Sequence, residues 1–261
     1  MKRLVTLLAA LVITAGLALA VGCGEKEQDS LSRVKDKGEI SFAMSGGYPP
    51  FNFFNEKNEL VGFDIDVGKT VAGRLGVDFK PVTTEWSGII EGLRSGAYDG
   101  ILGSMAVTPD RAKVVDFSVP YYYSGAQLVV QKDSKFTSPE DLKGKIIGVV
   151  TGTTFEKDAE KLGAGKVNLY KDDTQTLTEL NNGVVDAVIT DRVVGANAIN
   201  SDKFRIKFLG SPLRSEDIAV AFRKGDDTLL EEVNGILNEM HSDGTLSQIS
   251  KKWLNVDVTQ K

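Results

Sequence analysis

Two stretches of the chain echo each other, and this repetition constrains the fold more than any other feature. Gly38-Glu39-Ile40 leading into Ser45-Gly46-Gly47 matches Gly144-Lys145-Ile146 leading into Thr151-Gly152-Thr153. Further along, Leu93, Gly96 and Asp99 match Leu180, Gly183 and Asp186, three residues apart each time. Any strand–helix unit yields some likeness of this kind, so the echo alone leaves unrelated units open. Taken as a true repeat, it places two similar α/β lobes in one chain, each with a Gly-rich loop after one strand. The second register also sets Ser104 opposite Asp191.

Local patterns support the α/β class. Apolar runs of strand length occur at Ile40 to Met44, Ile101-Leu102, Gln127 to Gln131 and Lys145 to Val150. Between them lie helical signals. Asp64 is a candidate cap for a helix carrying Val67, Val71 and Leu75 and closed by Gly76. Trp86 to Arg94 and Arg192 to Ile199 are further helix candidates, and Ser138-Pro139-Glu140-Asp141 carries a cap-then-Pro start. Near the end, Val233, Ile236, Leu237 and Met240 share one helix face, stopped by Asp243-Gly244. Leu246, Ile249 and Trp253 share another.

The first residues address the compartment. Lys2-Arg3 precede a mostly apolar run to Ala20, followed by Val21-Gly22-Cys23, the form of a secretory signal peptide. The run is short for a membrane span. Cys23 is the only cysteine, so it forms no internal disulfide. Small residues followed by Cys resemble a lipobox, although Ala20 stands where Leu is usual. Cleavage after residue 22 and lipidation at Cys23 are therefore expected, with 23–31 as a polar tether. The formal net charge is −5, and the leader holds two of the cations. An acidic exported chain without a basic cluster is not a nucleic-acid binder.

Ligands of open α/β sheets sit beyond the carboxyl ends of the strands. Two facing lobes would thus enclose a cleft with Ser104, Ala106 and Arg111 on one lip and Thr151 to Thr154 with Asp191 on the other. A cation opposite an anion suits a zwitterion, whose charges are costly to bury without partners. One detail of the first lip is awkward. Thr108-Pro109-Asp110 reads as a helix start, and Arg111 places a cation against the dipole there.

With these residues assembled, the chain resembles the bacterial solute-binding protein family 3, the amino-acid receptors of ABC importers. The likeness runs from about Leu31 to Trp253. It rests on an ordered set: Tyr48-Pro49-Pro50-Phe51, Gly62-Phe63-Asp64-Ile65-Asp66, and Trp86 with Ile89-Ile90-Glu91-Gly92-Leu93. Thr108 to Arg111 with Asp116-Phe117-Ser118, Gly152-Thr153-Thr154, Asp186 with Asp191, and Asp243-Gly244-Thr245 follow. The resemblance implies a two-lobed periplasmic binding protein fold of type II, closing on ligand by a hinge. Lobe 1 would be residues 32–120 and 219–261 and lobe 2 residues 126–213. The crossings would be 121–125 and 214–218. It further implies a monomeric lipoprotein of the periplasm or cell surface that works with an ABC permease, without cofactor or metal.

By the same resemblance, Arg111 would take the ligand carboxylate, in two parallel bonds that Lys does not reproduce. Its bland alternative is a surface ion pair with Asp110. Asp191 would take the ammonium, while also serving as a helix cap. Thr153 and Thr154 would offer hydroxyl and N–H groups to the carboxylate. Tyr48 and Trp86 would be aromatic walls, with Phe51 and Phe53 left to the core. Two positions depart from the family. Ser45 replaces an Asp frequent in receptors for cationic ligands, and Ala106 replaces a Ser or Thr. An uncharged polar amino acid is therefore the expected ligand, although Glu85, Asp172 and Asp173 remain possible anions.

Two rivals stay in view. A dehydratase on this fold needs a proton donor in the cleft. Glu156 is the obvious acid near the Gly loop, and the only histidine, His241, sits on the last helix pair. The other rival, a sensor domain, carries a transmembrane helix and a cytoplasmic module after the lobes, whereas this chain ends at Lys261.

Overall fold

In the computed structural model, which describes residues 29–201 and 203–261, the strand Glu39–Met44 is the spine of the first lobe. Ile40 to Met44 are all buried, as a parallel strand covered on both faces should be. This strand pairs in parallel with Asp78–Thr83 on one side and Gly100–Ile101 on the other. Ala221–Arg223 then runs antiparallel to Gly100–Ile101, and Val115–Phe117 antiparallel to that.

The second sheet follows the same plan. Ile146–Val150 is flanked in parallel by Lys166–Tyr170 and Ala187–Asp191. Tyr122–Gln131 lies antiparallel beside Ala187–Asp191, and Ile206–Ile218 completes the sheet. Both sheets have five strands with the same order and directions.

Matched residues of the echo do matched work. Leu93 and Leu180 are fully buried. Gly96 (φ 81°) and Gly183 (φ 75°) are both left-handed, each returning its N–H to the matched leucine's carbonyl at a helix end. Asp99 Oδ2 accepts the Ser41 N–H at 2.9 Å, and Asp186 Oδ2 accepts the Ile146 N–H at 2.8 Å. The repeat is thus one of architecture.

The segments read as crossings run side by side. Tyr122 to Ala126 pair antiparallel with Ile218 to Arg214. The C-terminal helices Asp227–Ser242 and Thr245–Leu254 bury the faces anticipated from their spacing. Trp253 is half-buried, its Nε1 donating to Asp66 Oδ2 at 2.7 Å. Among the described residues, no helix is long and apolar enough to cross a membrane.

Two readings need correction. Asp64 does not cap its helix. Phe63–Leu75 starts after Gly62 (φ 134°), where a Cβ would lie 2.2 Å from the Phe51 carbonyl oxygen, and Asp64 turns inward. At the N-terminus, Asp29 caps the helix Ser30–Lys37, and Ser30 Oγ meets Thr228 Oγ1 at 3.1 Å. Ser30 and Leu31, read as tether, therefore belong to the folded body. The signal peptide, Cys23 and the rest of the tether to residue 28 lie outside the described residues.

Candidate functional site

The parallel strands of both sheets end at one cleft. All nine anticipated ligand-binding residues line it: Ser45, Tyr48, Trp86, Ser104, Ala106, Arg111, Thr153, Thr154 and Asp191. Gly47, Gly103, Phe155, Asp172, Asp173 and Glu216 complete the lining.

Arg111 resolves the awkward detail of the first lip. Thr108 Oγ1 accepts the Arg111 N–H at 3.2 Å and Pro109 opens the helix, as expected. That helix, Pro109–Ala112, is a single turn. A macrodipole is a sum over aligned peptides, so one turn opposes the cation little. The guanidinium leaves the helix and donates from Nη1 to the Ala106 carbonyl at 2.9 Å and from Nη2 to the Gly152 carbonyl at 3.3 Å. Its carbon lies 5.7 Å from the Trp86 ring centroid. Asp110 instead pairs with Lys113 and Lys157, each at 2.8 Å. Burial lowers the Arg111 pKa, yet a guanidinium stays charged in a protein. It meets two carbonyl dipoles and, among the described residues, no ion-pair partner.

On the opposite lip, Asp191 ends the strand Ala187–Asp191 and caps the helix Arg192–Asn200. Its Oδ1 accepts the Val193 and Val194 N–H groups at 2.7 and 3.3 Å. Burial raises its pKa to about 7. The neighbouring loop turns at Gly152 (φ 79°), whose N–H donates to Glu156. Glu156 is therefore occupied as a loop acceptor. The Thr153 hydroxyl donates to the Val150 carbonyl at 2.7 Å, and that of Thr154 to Glu216 Oε1 at 2.9 Å. Both protons already have acceptors, so these residues face a ligand through their remaining groups.

The cleft floor hangs on Asp64. This buried carboxylate accepts Tyr121 Oη at 2.8 Å, Asn52 Nδ2 at 2.7 Å and Ser104 Oγ at 3.0 Å. Burial raises its pKa to about 6. Asn52 Oδ1 in turn accepts the Gly46 N–H and the Ser45 hydroxyl, at 2.9 and 3.2 Å. One carboxylate thereby sets both Ser104 and the Ser45–Gly46 loop. Ser104 is held at φ 63°, a left-handed state costing a non-glycine residue about 1–2 kcal/mol. Tyr48 stacks on the buried Phe51 with centroids 5.4 Å apart, and the half-buried Phe53 meets the Trp253 ring edge-on at 6.2 Å.

The sequence reading missed Glu216. It is buried on the return strand and accepts Arg214 Nη1 at 2.8 Å as well as Thr154. The signal was present: Arg214 and Glu216 alternate in a segment already read as a crossing, so both point to one face. Asp172 caps the helix Asp173–Asn181 through the Gln175 N–H. Asp173 accepts the Thr190 hydroxyl, and burial raises its pKa to about 7. One guanidinium thus faces four carboxyl groups, and Ser45 in place of Asp does not leave the cleft without anions. Among the described residues no group of His, Cys, Asp and Glu is arranged to hold a metal.

Comparisons with known proteins bear on the family and the fold. The family model described as bacterial extracellular solute-binding proteins, family 3, matches residues 40–256. The L-cystine-binding protein of Escherichia coli K12 is 33% identical, over 96% of this chain and 97% of its own length. A mutant of ArgBP from T. maritima superposes with a TM-score of 0.82 at 36% identity, covering 87% of this chain and 99% of that one. An ancestral amino acid-binding protein, a precursor of cyclohexadienyl dehydratase, also gives 0.82, at 34% identity, covering 87% of this chain and 100% of that one.

Proposed function

The chain belongs to the bacterial extracellular solute-binding proteins of family 3, and we propose that it is a receptor that encloses a polar amino acid and delivers it to an ABC importer. The observation that carries this reading is the placement of Arg111 and Asp191. They come from different lobes and line one cleft, Asp191 buried and Arg111 half-buried, and among the described residues neither has a counter-charge in ion-pair contact. A free amino acid supplies both missing partners at once: its carboxylate for the guanidinium and its ammonium for the aspartate. Tyr48 and Trp86 then flank the side chain, and Thr153, Thr154, Ala106, Ser104 and Ser45 surround the head group.

Closure follows from the same geometry. Arg111 bonds the Gly152 carbonyl and Asp110 pairs with Lys157, so contacts already bridge the two lips. A zwitterion spanning Arg111 and Asp191 adds to those bridges only when the lobes are together, so binding and closure are one equilibrium. The paired crossings 121–125 and 214–218 are the hinge of this reading, and Cys23 its lipid anchor.

A dehydratase is the second reading, favoured by the ancestral precursor and by Asp173 and Asp191, which hold a proton near neutrality. Incubating the lipid-free protein with amino acids and with a prephenate-like substrate, followed by mass spectrometry, separates the two. Stoichiometric capture of an unchanged amino acid is expected. Released product would establish the enzyme.

A further inference from the structure

Each Gly-rich loop meets the other lobe at a distance that leaves little room for a side chain. A Cβ on Gly152 would lie 3.2 Å from Ser87 Cα and 3.8 Å from Trp86 Cδ1, at the helical turn Trp86–Gly88 of the first lobe. A Cβ on Gly47 would lie 3.2 Å from Asp172 Cβ and 3.6 Å from its Cγ, at the cap of the second lobe's helix Asp173–Asn181. The shortest approach at each is inside ordinary carbon–carbon contact, about 3.5–4.0 Å. The internal repeat relates the two contacts. Gly152 matches Gly46 in the first register of the echo, and Ser87 matches Thr174 in the second. To within two residues, each lobe sets its first loop against the start of the same helix in the other.

The two glycines are required for different reasons. Gly152 is left-handed at φ 79°, so its own backbone favours glycine. Gly47 is not left-handed and opens the strand Gly47–Tyr48, where the backbone makes no demand for glycine. A strand glycine of that kind marks a close approach, and the approach at Gly47 is that of Asp172. The opposing atoms are stiff. Ser87 is met through its Cα and Asp172 through its Cβ, which no change of rotamer moves away. At one contact the Gly152 carbonyl accepts Arg111 Nη2 at 3.3 Å, and at the other Gly47 and Asp172 line the chamber.

Resting on the receptor reading above, we infer that Gly47 and Gly152 are positioning residues for ligand capture, and that their contacts with Asp172 and Ser87 form the seam that fixes how far the lobes close. Charge-assisted hydrogen bonds are strong only near about 2.7–2.9 Å. The carboxylate and ammonium of one amino acid must therefore reach both lips at once, and a methyl group in the seam holds the lips apart. The strain falls on the closed, ligand-holding form, because the open form makes neither contact. Its cost appears in the rate at which ligand leaves, not in the rate at which ligand finds the open cleft.

Titration calorimetry and stopped-flow tryptophan fluorescence of the lipid-free chain, with the common L-amino acids and L-cystine, test the seam. For whichever of these the wild type binds, Gly47→Ala should weaken affinity about three- to tenfold, through faster dissociation at an unchanged association rate. Asp172→Gly removes the opposing Cβ and leaves a residue tolerated at a helix cap. In that background Gly47→Ala should cost less than about twofold. Gly152→Ala should weaken binding about tenfold or more. Gly144→Ala, equally left-handed at φ 75° with nothing within 4 Å of its Cβ, should stay within about twofold of the wild type. Should Asp172→Gly itself abolish binding, the Gly152 and Gly144 pair decides. A loss in Gly47→Ala of the same size in both backgrounds, no loss in Gly47→Ala, or equal losses in Gly152→Ala and Gly144→Ala, would overturn the seam and leave the receptor reading standing. Binding of none of these amino acids by the wild type would overturn the receptor reading, and the seam with it.

Discussion

Gly46 and Gly152 follow equivalent strands of the two sheets and share a left-handed backbone, at φ 74° and 79°. Ser104 and Asp191 stand at the ends of the next equivalent strands, yet they differ in every respect that matters to a ligand. Ser104 is left-handed and donates its hydroxyl downward to Asp64. Asp191 is extended, at φ −61°, and caps a helix while facing the cleft. The repeat preserves what carries backbone, the buried leucines, left-handed glycines and strand-anchoring aspartates. It does not preserve charge. The first lobe brings a cation to the cleft through Arg111 and the second an anion through Asp191, the asymmetry on which the proposed bipolar ligand rests.

The largest expected effect breaks this asymmetry from the cation side. Arg111→Ala should weaken amino-acid binding about a hundredfold or more, because the carboxylate would then be buried without a partner. Asp191→Asn attacks the anion side. Asn still caps a helix, so folding should persist by circular dichroism while calorimetry shows affinity falling about ten- to a hundredfold.

A subtler effect concerns pH. Burial holds Asp64 at about 6 and Asp173 and Asp191 at about 7, all above an unfolded value near 4. Raised carboxyls favour the folded state fully below that unfolded value, and the contribution is lost as pH rises through 6 to 7. The free protein should therefore melt at a higher temperature at pH 5 than at pH 8. Ligand affinity should move oppositely. A bound ammonium draws the proton from Asp191, so binding weakens from pH 8 to pH 5.

The smallest effect probes the repeat alone. Gly96→Ala and Gly183→Ala should each cost about 1 kcal/mol in denaturant unfolding, from left-handed strain. A Cβ meets nothing within 4 Å at Gly96 and only Gln131 Nε2, at 3.5 Å, at Gly183. Markedly unequal losses would show that the two positions are not equivalent.

Much of the fold was legible because periodicity and capping are local. The helix faces of Val233 to Met240 and Leu246 to Ile249, the Thr108 cap and the echoed glycines all follow from neighbours in the chain. The residues that line the cleft were legible through motifs in order. Asp64 misled because a first-turn acid looks like a cap, whereas its partners Tyr121, Asn52 and Ser104 are distant in sequence. Glu216 escaped for the same reason: its role depends on a strand that returns to the cleft from the second sheet. Arg111 posed a dipole problem only because the sequence does not show that its helix is one turn long.

The central claim is that Arg111 and Asp191 together bind a free amino acid across the cleft. Calorimetric titration of the lipid-free wild-type chain and of Arg111→Ala against the common amino acids tests it most directly. One-to-one binding of at least one amino acid, lost in the variant while the fold is retained, is the predicted result. Full affinity in Arg111→Ala, or binding of none by the wild type, would contradict it.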